Sequence, residues 1–169
     1  MSVNNQMRGR AAKRKGDLFE NLIDATCSYY KRMGIADIQK TPEPMRIIRP
    51  INRQKGTFEA YFEKQAQPDF KGVTHGGRAI LFEAKRTETT SISQNRVTVE
   101  QMHNFNSASN LGAECFVLVS IQERHFYKVP WNVWEDMQLI YKKKSLNKKD
   151  LAEFEVPYRN GIINFLEGE

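Results

Sequence analysis

The sequence has few cysteines and histidines and no long apolar segment. Its two cysteines are Cys27 and Cys115, and its three histidines show no ligand spacing, so no zinc site is predicted. No apolar run approaches the ~20 residues that a bilayer-spanning helix needs. The basic N-terminus has no apolar stretch after it, so it does not resemble a secretory signal. These features predict a reduced, cytoplasmic protein with no membrane partner.

Acidic residues are outnumbered by basic ones. The chain has 169 residues and a formal net charge of +6, which suits one domain that attracts polyanions, nucleic acids above all. Residues 1–15 contain five basic residues and no acid: Arg8, Arg10, Lys13, Arg14 and Lys15. We interpret this segment as a flexible basic arm. The arm either follows a phosphate backbone or only aids solubility, and the sequence favours neither.

Hydrophobic periodicity predicts an α/β protein. Helices are expected over 16–33 and 99–111, and strands over 35–40, 78–85, 116–121 and 126–129. The apolar run 116–121 is typical of a buried central strand. We therefore expect one domain over residues 16–169, a mixed central sheet flanked by helices, with a helical or irregular C-terminal tail.

Three residues form the centre of the predicted chemistry. Glu83 and Lys85 share one face of the strand 78–85, because alternate residues of a strand point the same way. A Gly-Gly turn precedes this strand and can fold it against Asp69. Two converging carboxylates make a hard-oxygen site suited to Mg²⁺, beside which Lys85 would position a water or stabilise phosphate charge. An acid–x–lysine pattern is weak by itself, and a surface ion pair on an edge strand is the main alternative.

Two further residues are candidates for the same site. Glu20 follows the start of the first helix, and it is either a solvated helix residue or a further ligand. Gln101 lies at the start of the second helix, just after a polar loop, and would reach a bound water or a phosphate. Neither assignment has support from its own position alone.

Residues 45–65 mix β-branched, aromatic and basic side chains. This composition suits an extended segment that contacts nucleic acid, although a hairpin with a solvated basic face fits equally well. The segment contains the basic residues Arg46, Arg49, Arg53 and Lys55 and the aromatic residue Phe58, and Lys71 follows in the strand after Asp69.

Several short motifs together resemble one nuclease family. Residues 16–20, Pro68-Asp69 and 83–85 resemble the signature of the PD-(D/E)xK superfamily. The order of 41–48, 59–62, 82–85, 100–102 and 144–146 resembles the RecU-type Holliday junction resolvases within it, over roughly 16–150. Gln67-Pro68 replaces the hydroxyl residues usual before the first aspartate, a departure that fits a divergent, phage-encoded member.

The resemblance implies a restriction-endonuclease-like fold with residues 46–66 projecting as a stalk. It also implies a Mg²⁺-dependent homodimer (Mn²⁺ substituting) that resolves four-way DNA junctions by paired symmetric nicks during recombination, alongside recombinase and branch-migration proteins. The implied catalytic residues are Asp69, Glu83, Lys85, Glu20 and Gln101, the first two binding the metal. The implied DNA contacts are Arg46, Arg49, Arg53, Lys55 and Lys71, with Phe58 stacking on a base. A related nuclease of duplex DNA and a non-catalytic DNA-binding protein remain the alternative hypotheses.

Overall fold

The computed structural model describes residues 3–62 and 67–167, with side chains from Leu18 onwards. Its helices are α1 (Val3–Met33), α2 (Val99–Asn110), α3 (Trp131–Glu135) and α4 (Met137–Tyr141). Its longer strands are β1 (Ala36–Lys40), β2 (Met45–Asn52), β3 (Thr57–Phe62), β4 (Phe70–Thr74), β5 (Ala79–Thr87), β7 (Glu114–Ile121) and β8 (His125–Pro130). The shorter ones are β6 (Ser91–Ser93), β9 (Ser145–Asn147), β10 (Tyr158–Arg159) and β11 (Ile162–Ile163).

Five strands form the central sheet in the order β1-β4-β5-β7-β8. Only β5 and β7 are parallel within it, and α2 connects them as a crossover. The other neighbours pair antiparallel. The predicted α/β class with a mixed central sheet flanked by helices is confirmed.

Alternating side chains divide the core between the two faces of the sheet. On one face, Phe70, Phe82 and Phe116 stack at centroid distances of 4.9 and 4.8 Å, and α1 packs over them. On the other face, Val117 and Val119 pack with residues of α2 and α3. Because β5 has strands on both sides, its middle residues are buried, which decides the environment of Glu83.

Both ends of the chain carry more regular structure than the apolar periodicity predicted. Helix α1 begins at Val3, so the predicted helix over 16–33 extends through residues 3–15, where alanine, lysine and arginine are strong helix formers. The expected helical or irregular C-terminal tail is instead a β10–β11 hairpin, because Ile163 and the following Phe165 are buried in the core on the α1 side of the sheet. Within the described residues, no helix is long and apolar enough to cross a membrane.

Residues 45–62 form a separate antiparallel hairpin of β2 and β3, outside the central sheet. Every residue of β2 is exposed, which matches the predicted projecting segment. The final residues of the predicted stalk, 63–66, lie outside the described part of the chain. The division into an arm and one domain stays a prediction.

Candidate active site

Asp69 and Glu83 are neighbours because of strand register. Phe70 pairs with Phe82 between β4 and β5, which sets Asp69 opposite Glu83. The Asp69 backbone N–H donates to Glu83 Oε2 at 3.2 Å, and the Ala84 N–H donates to Asp69 Oδ2 at 3.0 Å. The two bonds run in opposite directions across the strand pair and hold both carboxylates in place.

Glu83 is the most buried group of the cluster, with 1% of its side chain exposed. Lys85 Nζ donates to its Oε1 at 2.7 Å, and Gln101 Nε2 donates to the same oxygen. The Lys85 side chain is 15% exposed. The alternative of a surface ion pair on an edge strand is therefore wrong: β5 is central, and the pair lies inside the protein.

The surroundings of Glu83 disfavour its ionised form. Burial, and after it the charge of the nearby Asp69, raises the pKa of Glu83 from 4.5 to about 7. The attraction of Lys85 lowers this pKa but does not offset the other two effects. A site with this imbalance favours a proton or a cation between its carboxylates.

Gln101 reaches Glu83 because of how α2 begins. Thr98 is the N-cap residue, and its hydroxyl accepts from the Gln101 backbone N–H at 3.3 Å. In return, Gln101 Oε1 accepts from the Thr98 N–H at 2.9 Å, which completes a capping box. This fixes the amide oxygen and directs Nε2 towards Glu83. One side chain thus caps the helix and orients the carboxylate.

Glu20 lies at the border of this cluster. Its Oε2 accepts from Lys40 Nζ at 2.5 Å, with the Glu20 side chain 41% exposed. The hydrogen bond to Glu20 raises the pKa of Lys40, and the charges of Asp24 and Asp69 act in the same direction. The Thr41 N–H also donates to the Asp69 carbonyl at 2.8 Å, which anchors the end of β1 beside Asp69.

Lys40 is the residue that sequence reasoning missed. Its ammonium forms an ion pair with Glu20 and is also attracted by the charge of Asp69, so Lys40 links Glu20 to the site. No local signal indicated this, because the two strands that bring Lys40 and Asp69 together are joined by the whole β2–β3 hairpin. Only the register between β1 and β4 reveals it.

The donor set fits a divalent cation. Among the described residues, no cluster of three or more histidines, cysteines, aspartates or glutamates could enclose a metal. Two carboxylates are nevertheless what a hard cation needs when phosphate oxygens and waters complete its shell. Asp69 and Glu83 would supply them, and burial and the charge of Asp69 raise the pKa of Glu83, a shift that a bound cation would oppose.

The β2–β3 hairpin carries most of the predicted DNA contacts on an exposed surface. Phe58 is 45% exposed, and large apolar side chains are exposed along both strands: Met45, Ile47, Ile48, Ile51, Tyr61 and Phe62. Arg49 forms an ion pair with Glu59 at 2.6 Å, so its charge is partly compensated. Arg46, Arg53 and Lys55 are also exposed on the hairpin, and Lys71 is exposed on β4.

Comparisons with known proteins identify relatives across almost the whole chain. The family model for recombination protein U, RecU, matches residues 14–168. The Holliday junction resolvase RecU of Streptococcus mutans is 33% identical over 92% of this chain and 87% of its own. That of Bacillus pumilus is 32% identical over 82% and 70%. Hjc of Archaeoglobus fulgidus, a solved structure, has a TM-score of 0.48 at 10% identity, covering 79% and 92%. On the family match and its relatives, the chain belongs to the RecU family.

Proposed function

We propose that this protein is a Mg²⁺-dependent endonuclease that resolves four-way DNA junctions by paired nicks. The observation that carries the proposal is the pairing of Asp69 with the buried Glu83, with Lys85 and Gln101 converging on one Glu83 oxygen. The names of the RecU relatives supply the substrate class.

Asp69 and Glu83 would hold the metal. When bound, Mg²⁺ polarises the scissile phosphate and lowers the pKa of a coordinated water. The protein's contribution is orientation, since the crossed backbone bonds fix both carboxylates before the substrate arrives. Mn²⁺ prefers similar ligands, and we expect it to substitute.

Lys85 and Gln101 prepare the site for a polyanion. The Lys85 ammonium is largely buried next to Glu83, where its field on a nearby phosphate is screened less than on the surface. We expect it to stabilise charge that develops on the phosphate. Gln101 keeps the Glu83 carboxylate in one orientation through a side chain that α2 itself holds.

The β2–β3 hairpin would enter the centre of the junction. Its exposed basic residues suit phosphates, and its exposed aromatic residues suit bases that lose their stacking partners at a branch point. Two opposed strands must be cut, so we propose a homodimer with one site per protomer. We further propose action in the cytoplasm, together with recombinase and branch-migration proteins.

The test is cleavage of an end-labelled four-way junction beside a matched linear duplex, with Mg²⁺ or with chelator. We expect paired nicks on opposed strands of the junction, and none in chelator. Equal cutting of both substrates would retain the nuclease and refute the junction selectivity. Binding without any cutting in Mg²⁺ or Mn²⁺ would refute the enzyme.

A further inference from the structure

A small two-stranded sheet, β6 paired with β9, lies directly after the catalytic strand. Three residues, 88–90, separate the end of β5 from the start of β6. Arg96, just beyond β6, donates from Nη2 to the carbonyl of Arg86 on β5 at 3.2 Å. This ribbon, residues 91–93 with 145–147, is therefore anchored to the strand that carries Glu83 and Lys85.

The ribbon is a rigid support with one buried and one outward face. Ile92 and Leu146 pair across it and are fully buried in the core, at 2% and 0% exposure. The Lys144 carbonyl accepts from the Gln94 N–H at 2.9 Å and from the Ser93 hydroxyl at 3.3 Å. These bonds fix the backbone on which the flanking lysines are mounted.

The outward face carries short polar side chains, and its ends carry lysines. Alternation places four half-exposed polar residues on the face opposite Ile92 and Leu146: Ser91, Ser93, Ser145 and Asn147. The Ser93 hydroxyl donates to the Lys144 carbonyl and Asn147 Oδ1 accepts from two backbone N–H groups, which leaves the Ser91 and Ser145 hydroxyls and the Asn147 amide N–H groups for a ligand. Lys142, Lys144 and Lys149 are exposed around β9, and none has an acidic partner among the described residues. The nearby Asp150 is held by Lys143 at 2.7 Å and by the Asn147 N–H at 2.9 Å.

Short hydroxyl and amide side chains among lysines are the groups that contact DNA phosphates without reading sequence. We propose that the outward face of the β6–β9 ribbon binds the phosphate backbone of a duplex arm of the junction. The ribbon would hold the arm that leads from the scissile phosphate, while the β2–β3 hairpin contacts the branch point. This inference rests on the proposed function for its substrate.

The test uses Lys144→Ala/Lys149→Ala against the matched control Arg32→Ala/Arg159→Ala. Both double variants lose two exposed positive charges, but Arg32 lies at the end of α1 and Arg159 on β10, outside the ribbon. Binding to a four-way junction and to a linear duplex is measured in chelator across a salt series, so that cleavage plays no part. Unfolding midpoints verify that each variant is folded.

For the ribbon variant we expect the slope of log affinity against log salt to decrease in magnitude by about two on both substrates. The affinity near 0.1 M salt should fall about 10- to 60-fold. The control should keep the wild-type slope. An unchanged slope for the ribbon variant, or an equal loss in the control, would overturn the proposal. Because the readout is metal-free binding, the ribbon proposal can be refuted even if the enzyme cuts junctions. It can equally be supported even if the protein cuts nothing.

Discussion

Replacing the buried Glu83 by glutamine should stabilise the metal-free protein while removing its activity. The folded protein raises the pKa of this carboxyl from 4.5 to about 7. A raised folded-state pKa means that stability is present at low pH and is lost as pH rises through the interval from 4.5 to about 7. The loss corresponds to about 3 kcal/mol in the free energy of unfolding.

The glutamine variant escapes that loss because its side chain does not ionise. The pKa of Glu83 already includes the attraction of Lys85, so losing that attraction is not an additional cost. In the wild type the two Glu83 oxygens accept from three N–H donors. Glutamine replaces one of these oxygens by an NH₂ group, which is itself a donor and cannot accept from them. That mismatch costs about 1 kcal/mol, which leaves a gain of about 2 kcal/mol above neutral pH.

The assay is urea unfolding in chelator at about pH 5, near the lower end of the interval in which Glu83 titrates, and at about pH 8, above that interval. Other groups titrate in both proteins, so the informative quantity is the difference between their pH dependences. Glu153→Gln, at an exposed glutamate, is the matched control and should follow the wild type. If Glu83→Gln is less stable than wild type near pH 8, or has the same pH dependence, the reasoning about buried charge is refuted.

Three other substitutions separate positioning, charge and packing. Gln101→Ala removes both the capping box and a donor to Glu83, and we expect junction cleavage to slow about 10- to 100-fold with metal-free DNA binding unchanged; cleavage at the wild-type rate would contradict this. Lys85→Ala should reduce single-turnover cleavage about 100-fold, and rescue by Lys85→Arg is not expected, because a guanidinium is larger and planar; full rescue would refute a point-charge role. Gly72→Ala would set a Cβ 2.1 Å from a carbonyl oxygen of β1, so we expect a loss of at least about 2 kcal/mol by urea unfolding, against a small effect for the exposed Val73→Ala; equal effects would contradict the close strand approach.

Local pattern was sufficient to predict the middle of the site. Glu83 and Lys85 share a face because strands alternate, and the Gly76-Gly77 turn returns the chain so that β4 and β5 pair. Helix α2 was predictable from its apolar spacing, and it places Gln101 at its first turn. These features depend on residues close in sequence, where periodicity and turn chemistry dominate.

Features set by distant pairing were not predictable from pattern. The burial of Glu83 depends on β7 lying beside β5, a parallel pairing across the whole of α2. The role of Lys40 depends on β1 returning to β4 past the β2–β3 hairpin. The short β6 and β9 segments show no periodicity over three residues each, and only their pairing across the chain reveals a ribbon.

The central claim is that Asp69 and Glu83 form the metal site of a junction-cutting enzyme. The most direct measurement is single-turnover cleavage of an end-labelled four-way junction by wild type and Asp69→Asn over a Mg²⁺ titration, with binding in chelator measured on the same samples. We predict that the wild-type rate rises with Mg²⁺ and saturates with both opposed strands nicked, while Asp69→Asn binds equally well and does not cut. Cutting by Asp69→Asn at the wild-type rate would contradict the account.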